Sequence, residues 1–188
     1  MSELEERLRA IVRESDALMS ALRAARAVGL PDWYIGAGAV RDLVWDRLHD
    51  RAPRAPRDVD VAFFDPSDLR RLRDHEAQEA LARALPGVPW EATNQAAVHL
   101  WYEAVFGVSV PPLASCDEAL ATWPETVTCI GVRLRDDDAI EICAPLGLED
   151  LFELVWRYNP VRASLDAFER RLARKDVAQR WPRARIVR

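Results

Sequence analysis

The stretch that decides the fold reads Trp33-Tyr34-Ile35-Gly36-Ala37-Gly38-Ala39-Val40-Arg41-Asp42, and Asp58-Val59-Asp60-Val61-Ala62-Phe63 follows it. Its first three residues are aromatic or β-branched and predict a strand that ends at the glycine turn of residues 36 to 38. Apolar side chains then recur at helical spacing through residue 48. The second segment alternates large apolar side chains with Asp58 and Asp60, as a half-buried strand does. The sequence therefore predicts a strand, a tight turn, a helix and a strand that carries paired acids.

The paired acids, Asp58 and Asp60, project from the same face of their strand, about 6.5 Å apart along the chain. Two like charges on one face repel each other, which raises at least one pKa unless a cation or a donor network offsets them. A Mg²⁺ ion offsets them well, because it takes carboxylate oxygens together with substrate phosphates. The alternative is that both acids are simply solvated on an exposed strand face.

The glycine turn, Gly36-Ala37-Gly38, is the second candidate site. Glycines let the backbone approach a ligand closely, and the helix that follows presents unpaired N–H groups and the positive end of its dipole. Such a helix start suits triphosphate oxygens. Arg41 either reaches a phosphate or pairs with a local acid such as Asp42. As an alternative, the turn is an ordinary tight connection, since it lacks the glycine signatures of other nucleotide folds.

Length and composition predict one globular domain spanning residues 1 to 188, with 49% hydrophobic and 30% charged residues. The sequence shows neither a signal peptide nor a membrane span, so we expect a cytoplasmic protein. The cysteines at positions 116, 129 and 143 are expected to be free thiols. The net charge of -5 argues against a surface that binds nucleic acid throughout. Residues 170 to 188 are an exception, with eight basic residues and the acidic Asp176, and they either meet phosphates or form a solvated end.

The remaining periodicity predicts an α/β (α+β) fold in which helices flank a mixed twisted sheet. We divide the chain into an N-terminal helix (1 to 28), a sheet core (29 to 146) and a helical C-terminal segment (147 to 188). In the N-terminal half we expect one long helix over 3 to 27, a surface loop over 49 to 57 and a helix from Ser67 to about Leu85. A strand is expected from Trp90, and it continues as a helix around Gln95 to Tyr102. Further on we expect a short helix over 116 to 121, a hairpin of 126 to 134 with 140 to 142, and a helix that places Val155 on its apolar face.

Further motifs extend the pattern along most of the chain. They are Asn94-Gln95-Ala96, His99-Leu100-Trp101, Trp123-Pro124-Glu125-Thr126, Gly131-Val132-Arg133-Leu134, Ala144-Pro145-Leu146-Gly147-Leu148 and Asp150-Leu151-Phe152. Through residues 38 to 42 and 58 to 61 the chain resembles the nucleotidyltransferase superfamily of DNA polymerase beta and CCA-adding enzymes. Through the further motifs it resembles a family of stand-alone bacterial nucleotidyltransferase-like proteins, over roughly residues 30 to 185. The resemblance implies the nucleotidyltransferase fold.

The resemblance also implies roles for individual residues. Gly36, Ala37, Gly38 and Arg41 would bind the nucleotide, and Asp58 and Asp60 would hold Mg²⁺ (or Mn²⁺). The superfamily carries a third carboxylate on the next strand, and Glu91 fits that place as a catalytic residue and metal ligand. Glu141 is the reserve choice.

The implied activity is transfer of a nucleoside monophosphate from a nucleoside triphosphate to an acceptor. For the acceptor we expect a small molecule or a protein rather than tRNA, because the chain lacks the extra helical domains of the tRNA-end enzymes. The chain departs from the superfamily in having Ala37-Gly38 where a Gly-Gly or Gly-Ser pair is usual, and in a longer interval before the acids. The alternative is therefore a catalytically inactive nucleotide-binding or interaction module with the same fold.

Overall fold

The computed structural model describes residues 2–52, 54 and 56–188 of the chain. Its α-helices are α1 (Glu3–Arg13), α2 (Asp16–Val28), α3 (Gly38–Leu48), α4 (Leu72–Ala84), α5 (Tyr102–Phe106), α6 (Cys116–Ala121), α7 (Glu149–Phe152), α8 (Leu165–Lys175) and α9 (Val177–Arg180). Its strands are β1 (Tyr34–Gly36), β2 (Val59–Phe63), β3 (Trp90–Asn94), β4 (Gly131–Leu134), β5 (Ile140–Cys143), β6 (Val155–Arg157) and β7 (Arg185–Val187). Two short 3₁₀ helices cover Gln95–Leu100 and Thr126–Thr128.

A five-stranded mixed sheet forms the centre of the fold, with the strand order β3-β2-β1-β4-β5. Strand β1 runs antiparallel to both of its neighbours, β2 and β4, and β5 is antiparallel to β4. Strands β2 and β3 are parallel and are connected through α4, which packs on β3. The predicted mixed sheet flanked by helices is therefore present.

The two faces of this sheet bury different sets of side chains. Val59, Val61 and Phe63 of β2 join the main core beneath helices α1 to α4. Because side chains alternate along a strand, Asp58 and Asp60 point to the opposite face. There a smaller apolar cluster forms between the sheet and α6. Its buried members are Tyr34, Ala62, Cys116, Leu120 and Cys143. The apolar periodicity of β2 thus fixes which face carries the acids.

The N-terminal segment forms two helices where one long helix was predicted. Helix α1 ends at Arg13, and the Ser15 side chain accepts a hydrogen bond from the Leu18 backbone N–H at 3.3 Å as the N-cap of α2. A serine that caps a new helix competes with continuation of the old one. The apolar spacing was read correctly, but the break at residues 14 and 15 was missed.

The C-terminal segment, which was predicted to be helical, contains the helices α7, α8 and α9 and also two strands that were not predicted. Val155, which was placed on a helix, begins β6, and β6 pairs in parallel with β7 near the chain end. This small sheet joins the main body through Trp156, whose ring packs edge-on against Trp45 at 5.8 Å. Trp181 packs against the same Trp45 ring at 5.2 Å. All three rings are buried in the main core.

Other predicted boundaries shift by a few residues. The helix expected from Ser67 begins at Leu72, because the Ser67 backbone and hydroxyl donate to Asp65 in a preceding turn. The strand expected from 126 starts only at Gly131, and a 3₁₀ helix rather than an α-helix covers Gln95–Leu100. The helix over 116 to 121 and the hairpin are confirmed. Positions 53 and 55 of the predicted loop lie outside the described residues, and the rest of that loop has neither helix nor strand.

Within the part of the chain that the structure describes, no helix combines the length and the apolar content needed to cross a bilayer.

Candidate active site

Three carboxylate side chains share one face of the sheet. Asp58 precedes β2 and Asp60 lies within it, two residues further on. In the parallel pairing of β2 with β3, Asp60 stands directly beside Glu91. Neighbouring strands are about 4.8 Å apart, and paired residues point to the same side. The strand pairing therefore places Glu91 on the same face as Asp58 and Asp60.

The glycine turn lies against this acidic group. A Cβ atom placed on Gly38, the first residue of α3, would be 3.6 Å from Asp58 Oδ1. Helix α3 has no side-chain N-cap, and its first turn contains no acidic residue. The start of α3 therefore has no capping side chain of its own, and it presents the positive end of its dipole beside Asp58.

The two residues before Gly38 are constrained for different reasons. A Cβ on Gly36 would lie 2.7 Å from the Ile130 carbonyl oxygen and 3.0 Å from the Trp123 ring, so only glycine fits there. Ala37 has φ 50° and ψ -124°, a combination that glycine adopts far more readily than alanine. Residues held in such regions store strain and cluster at ligand sites. The turn is thus tightly packed and strained at the position where the superfamily usually has glycine.

Asp60 is the electrostatically stressed member of the group. Burial, and after it the negative charges of Asp58 and Glu91, raise the pKa of its carboxyl to about 6 in the folded protein. Lys175 and Arg171, both on α8, lower it in turn. A bound cation would stabilise the ionised carboxylate of Asp60 and so lower its pKa further.

The chemistry of this group fits a hard divalent cation. Among the described residues, no set of three or more His, Cys, Asp or Glu side chains already stands in a metal-holding arrangement. Mg²⁺, however, is commonly bound through one or two carboxylates, with phosphate and water oxygens completing its shell. Asp58 and Asp60 supply such carboxylates, and the uncapped start of α3 supplies a place for phosphates beside them. The residues present are therefore suited to hold Mg²⁺ or Mn²⁺ together with a polyphosphate.

Arg41 is buried, with 2% of its surface exposed. Its guanidinium donates to Asp42 Oδ1 at 2.9 Å and lies 4.6 Å from the centre of the Trp156 ring. Its Nη2 atom is nevertheless 3.6 Å from the position of a Cβ on Gly38. Arg41 therefore pairs with the local acid while it borders the turn, and its role toward a nucleotide stays a prediction.

Glu141, the reserve choice for a third carboxylate, lies elsewhere. It belongs to β5, which β1 and β4 separate from β2. Its carboxylate accepts hydrogen bonds from the Tyr34 hydroxyl at 2.8 Å and from Arg133 at 2.7 Å. Of the two candidates, only Glu91 is beside Asp60.

Basic side chains of α8 also act electrostatically on the acids, and the sequence-based interpretation did not assign them to the site. Burial disfavours the charged form of Arg171, but its hydrogen bonds to Glu125 and the nearby Asp60 and Asp58 raise its pKa overall. Arg171 is fixed by two hydrogen bonds to Glu125, of 2.7 and 3.1 Å, and Glu125 is fully buried. Arg171 and Lys175 belong to the basic run of residues 170 to 188, for which contact with phosphates was one of two expectations.

A cleft of about 760 Å³ lies where the chain enters β2, and we call it the basic cleft. It is lined by Arg51, Arg54, Arg57, Lys175, Gln179 and Arg180, together with Ala52 and Asp176. Arg57 immediately precedes Asp58, and Lys175 acts on Asp60. The excess of positive charge next to the acids makes this cleft suitable for a polyanion.

Comparison with solved structures shows the same fold. A structure described as revealing a CCA-adding enzyme head domain is 27% identical, with a TM-score of 0.81, and the alignment covers 96% of this chain and 94% of that one. A CCA-adding enzyme complexed with CTP has 18% identity and a TM-score of 0.60, and the CCA-adding enzyme of Thermotoga maritima complexed with tRNA has 18% identity and a TM-score of 0.59. The alignments with these two CCA-adding enzymes each cover 97% of this chain, but only 43% and 42% of the respective enzyme.

These likenesses confirm the predicted nucleotidyltransferase fold. No curated protein matches the sequence significantly. A family model described as nucleotidyltransferase matches residues 23–186, which is most of the chain. With its acids, its glycine turn and its sheet order in place, the chain belongs to this nucleotidyltransferase family.

Proposed function

We propose that this protein transfers a nucleoside monophosphate from a nucleoside triphosphate to an acceptor hydroxyl, phosphate or amine, with Mg²⁺ or Mn²⁺. The observation that carries the proposal is the meeting of Asp58, Asp60 and Glu91 on one sheet face beside the uncapped start of α3. The acids suit metal ions, and the helix start suits phosphates. The family membership supports the same reaction class.

In the proposed reaction an acceptor atom attacks the α-phosphorus, the bond to the bridging oxygen of the β-phosphate breaks, and pyrophosphate leaves. Asp58 and Asp60 would hold the metal ion, which would supply electrostatic stabilisation of the charge that develops on the reacting oxygens. Glu91 accepts the proton of the acceptor. The N–H groups at the start of α3 and the side chains of the basic cleft hold the phosphates.

For the acceptor we favour a small molecule or a protein over tRNA. Five of the eight basic residues in the C-terminal run already have carboxylate partners: Arg170, Arg171, Arg180, Arg185 and Arg188. Paired arginines offer little net charge for counterion release from a phosphate backbone. A cytoplasmic location is part of the proposal, and the free, buried state of the three cysteines fits a reducing compartment.

Pyrophosphate release tests the proposal. Wild-type protein is incubated with ATP, CTP, GTP or UTP in Mg²⁺ or Mn²⁺, with a pool of metabolites as acceptors, and intact-mass measurement detects transfer to the protein itself. Asp60→Asn should abolish release, while Asp136→Asn, in the exposed turn between β4 and β5, should leave it unchanged. If no triphosphate binds or turns over, and Asp60→Asn alters only stability, the proposal is wrong.

The second candidate is a catalytically inactive nucleotide-binding or interaction module with the same fold. The observation that favours it is Ala37, whose left-handed backbone keeps a methyl group at the turn that would approach the triphosphate. Calorimetry combined with the release assay distinguishes the two candidates. Tight binding of a triphosphate without pyrophosphate release under any tested condition would favour the inactive module.

A further inference from the structure

A second cleft, of about 570 Å³, lies at the C-terminal end of β3, the strand that carries Glu91. Four aromatic side chains line it, namely Trp101, Tyr102, Phe106 and Trp123, and we call it the aromatic cleft. Its size falls in the range of small-molecule sites, which are mostly apolar with a few placed polar groups. Here the polar groups include Thr93, Gln95 and Arg162.

The strand register connects this cleft to the acids. Thr93, which lines the cleft, lies two residues after Glu91 on β3, or about 6.5 Å further along the same face. Trp123, on another wall, stands 3.0 Å from the Cβ position of Gly36. The aromatic cleft therefore opens beside both the carboxylates and the glycine turn.

Helix α8 joins the two clefts across the acids. Ala167 and Arg171 line the aromatic cleft, whereas Lys175 at the end of the helix lines the basic cleft. The side chains of the two clefts differ in kind. Guanidinium and ammonium groups of the basic cleft suit phosphates, while the rings of the aromatic cleft suit a flat, weakly polar group.

The outer rim of the aromatic cleft exposes apolar surface that the protein itself does not cover. Val105 is 59% exposed, Phe106 56% and Val108 54%. The rings of Tyr102 and Phe106 stand 4.5 Å apart, at an angle of 41°. Stacking of a base on such rings covers their faces and does not depend strongly on which base it is.

We propose that the aromatic cleft binds the nucleobase of the nucleoside triphosphate, while the triphosphate lies at the start of α3 and in the basic cleft. The inference rests on the proposed function and adds where the nucleoside is recognised. One ribose separates a base from its α-phosphate, and the aromatic cleft is the ring-lined space that borders Glu91 and the turn. Phe106 and Tyr102 are then base-stacking residues.

Calorimetry with two probes in Mg²⁺ tests this placement: ATP, which carries a base, and inorganic triphosphate, which does not. Phe106→Ala should weaken ATP binding about tenfold, because each stacked ring contributes roughly that much, and should leave inorganic triphosphate binding unchanged. Phe106→Tyr, which keeps an aromatic ring, should restore ATP affinity. Since Phe106 is largely exposed, the alanine variant should fold normally.

Leu72→Ala is the matched control, because Leu72 is an apolar side chain that is 52% exposed and is not one of the residues that line the cleft. It should change neither affinity. If Phe106→Ala binds ATP as tightly as wild type, this inference is wrong, but the proposed function is not affected. The same conclusion holds if ATP binding is unchanged and only transfer to an acceptor is lost. An equal loss for ATP and inorganic triphosphate would also overturn it. Failure of wild-type protein to bind either probe would instead overturn the proposed function, and this inference with it.

Discussion

Asp60 carries a charge that its surroundings disfavour. Its pKa is raised from 3.8 to about 6, first by burial and then by Asp58 and Glu91. The folded protein therefore binds this proton more tightly than the unfolded chain does. Ionisation of Asp60 in the folded protein lowers the free energy of unfolding. This destabilisation is absent below pH 4, grows between pH 4 and 6, and is fully present above pH 6.

We predict that Asp60→Asn stabilises the metal-free protein at pH 8 by up to about 3 kcal/mol, the equivalent of a two-unit pKa shift. The gain should disappear below pH 4, where Asp60 is protonated in both states. Urea denaturation at a series of pH values measures the difference. Asp136→Asn should behave as wild type at each pH. A gain that is the same at pH 4 and pH 8 would contradict the electrostatic explanation.

Ala37 lies in the glycine turn, and its backbone has a positive φ of 50°. Replacement by glycine should relieve strain of about 1–3 kcal/mol, offset by about 0.4–1 kcal/mol of extra chain entropy in the unfolded state. We therefore predict that Ala37→Gly raises the free energy of unfolding by about 1 kcal/mol, measured by urea denaturation. Ala39→Gly, one residue into α3, is the control and should lose about 1 kcal/mol. A destabilised Ala37→Gly would show that the turn is not strained.

At the scale of elements, helix α8 matters to the site because it carries Arg171 and Lys175, whose charges lower the pKa of Asp60. An ion pair between Arg171 and the buried Glu125 joins this helix to the body of the protein. Glu125 also accepts a hydrogen bond from the Thr128 hydroxyl at 3.2 Å. A buried carboxylate that loses its cationic partner is costly, whereas a neutral replacement is not.

We predict that Arg171→Met destabilises the protein by about 2–3 kcal/mol, somewhat less than for a fully buried pair because Arg171 is 34% exposed. The double variant Arg171→Met, Glu125→Gln should recover part of this loss, since glutamine leaves no unpaired charge and still accepts a hydrogen bond from Thr128. Urea denaturation of the four proteins forms a double-mutant cycle. Additive losses would mean that the pair does not hold α8.

At the scale of the whole molecule, charge is distributed unevenly but largely compensated. The chain is acidic overall, with a net charge of -5, and the basic C-terminal run folds back onto acids of the body. Arg180, for example, donates to Asp42 at 2.6 Å and to Asp46 at 3.1 Å. The basic run therefore helps to close the fold.

We predict that the protein binds transfer RNA or single-stranded RNA no more tightly than about 10⁻⁵ M at physiological salt, which is the range of non-specific association. Fluorescence anisotropy over a salt series measures this. Arg183→Glu, which changes a basic residue of the C-terminal run, should make little difference. Binding at nanomolar concentration with a steep salt dependence would contradict the prediction and would return tRNA as an acceptor.

The sequence by itself determined the local arrangement of the site. Period-two alternation placed Asp58 and Asp60 on one strand face, and the glycine turn placed a helix start after β1. The short helix over 116 to 121 and the hairpin of β4 with β5 were also read from local patterns. These features depend on neighbours within a few residues, so periodicity and turn chemistry suffice to find them.

The tertiary structure alone decided what distant segments contribute. The parallel register put Glu91 beside Asp60, and the strand order left Glu141 on the opposite edge strand, β5. Packing between distant segments paired β6 with β7, where local spacing had suggested a helix through Val155. It also buried Arg41 against the ring of Trp156 and brought Arg171 close enough for the charges of Asp60 and Asp58 to raise its pKa. Strand register and helix docking follow from which apolar faces meet, and local periodicity carries no information about that.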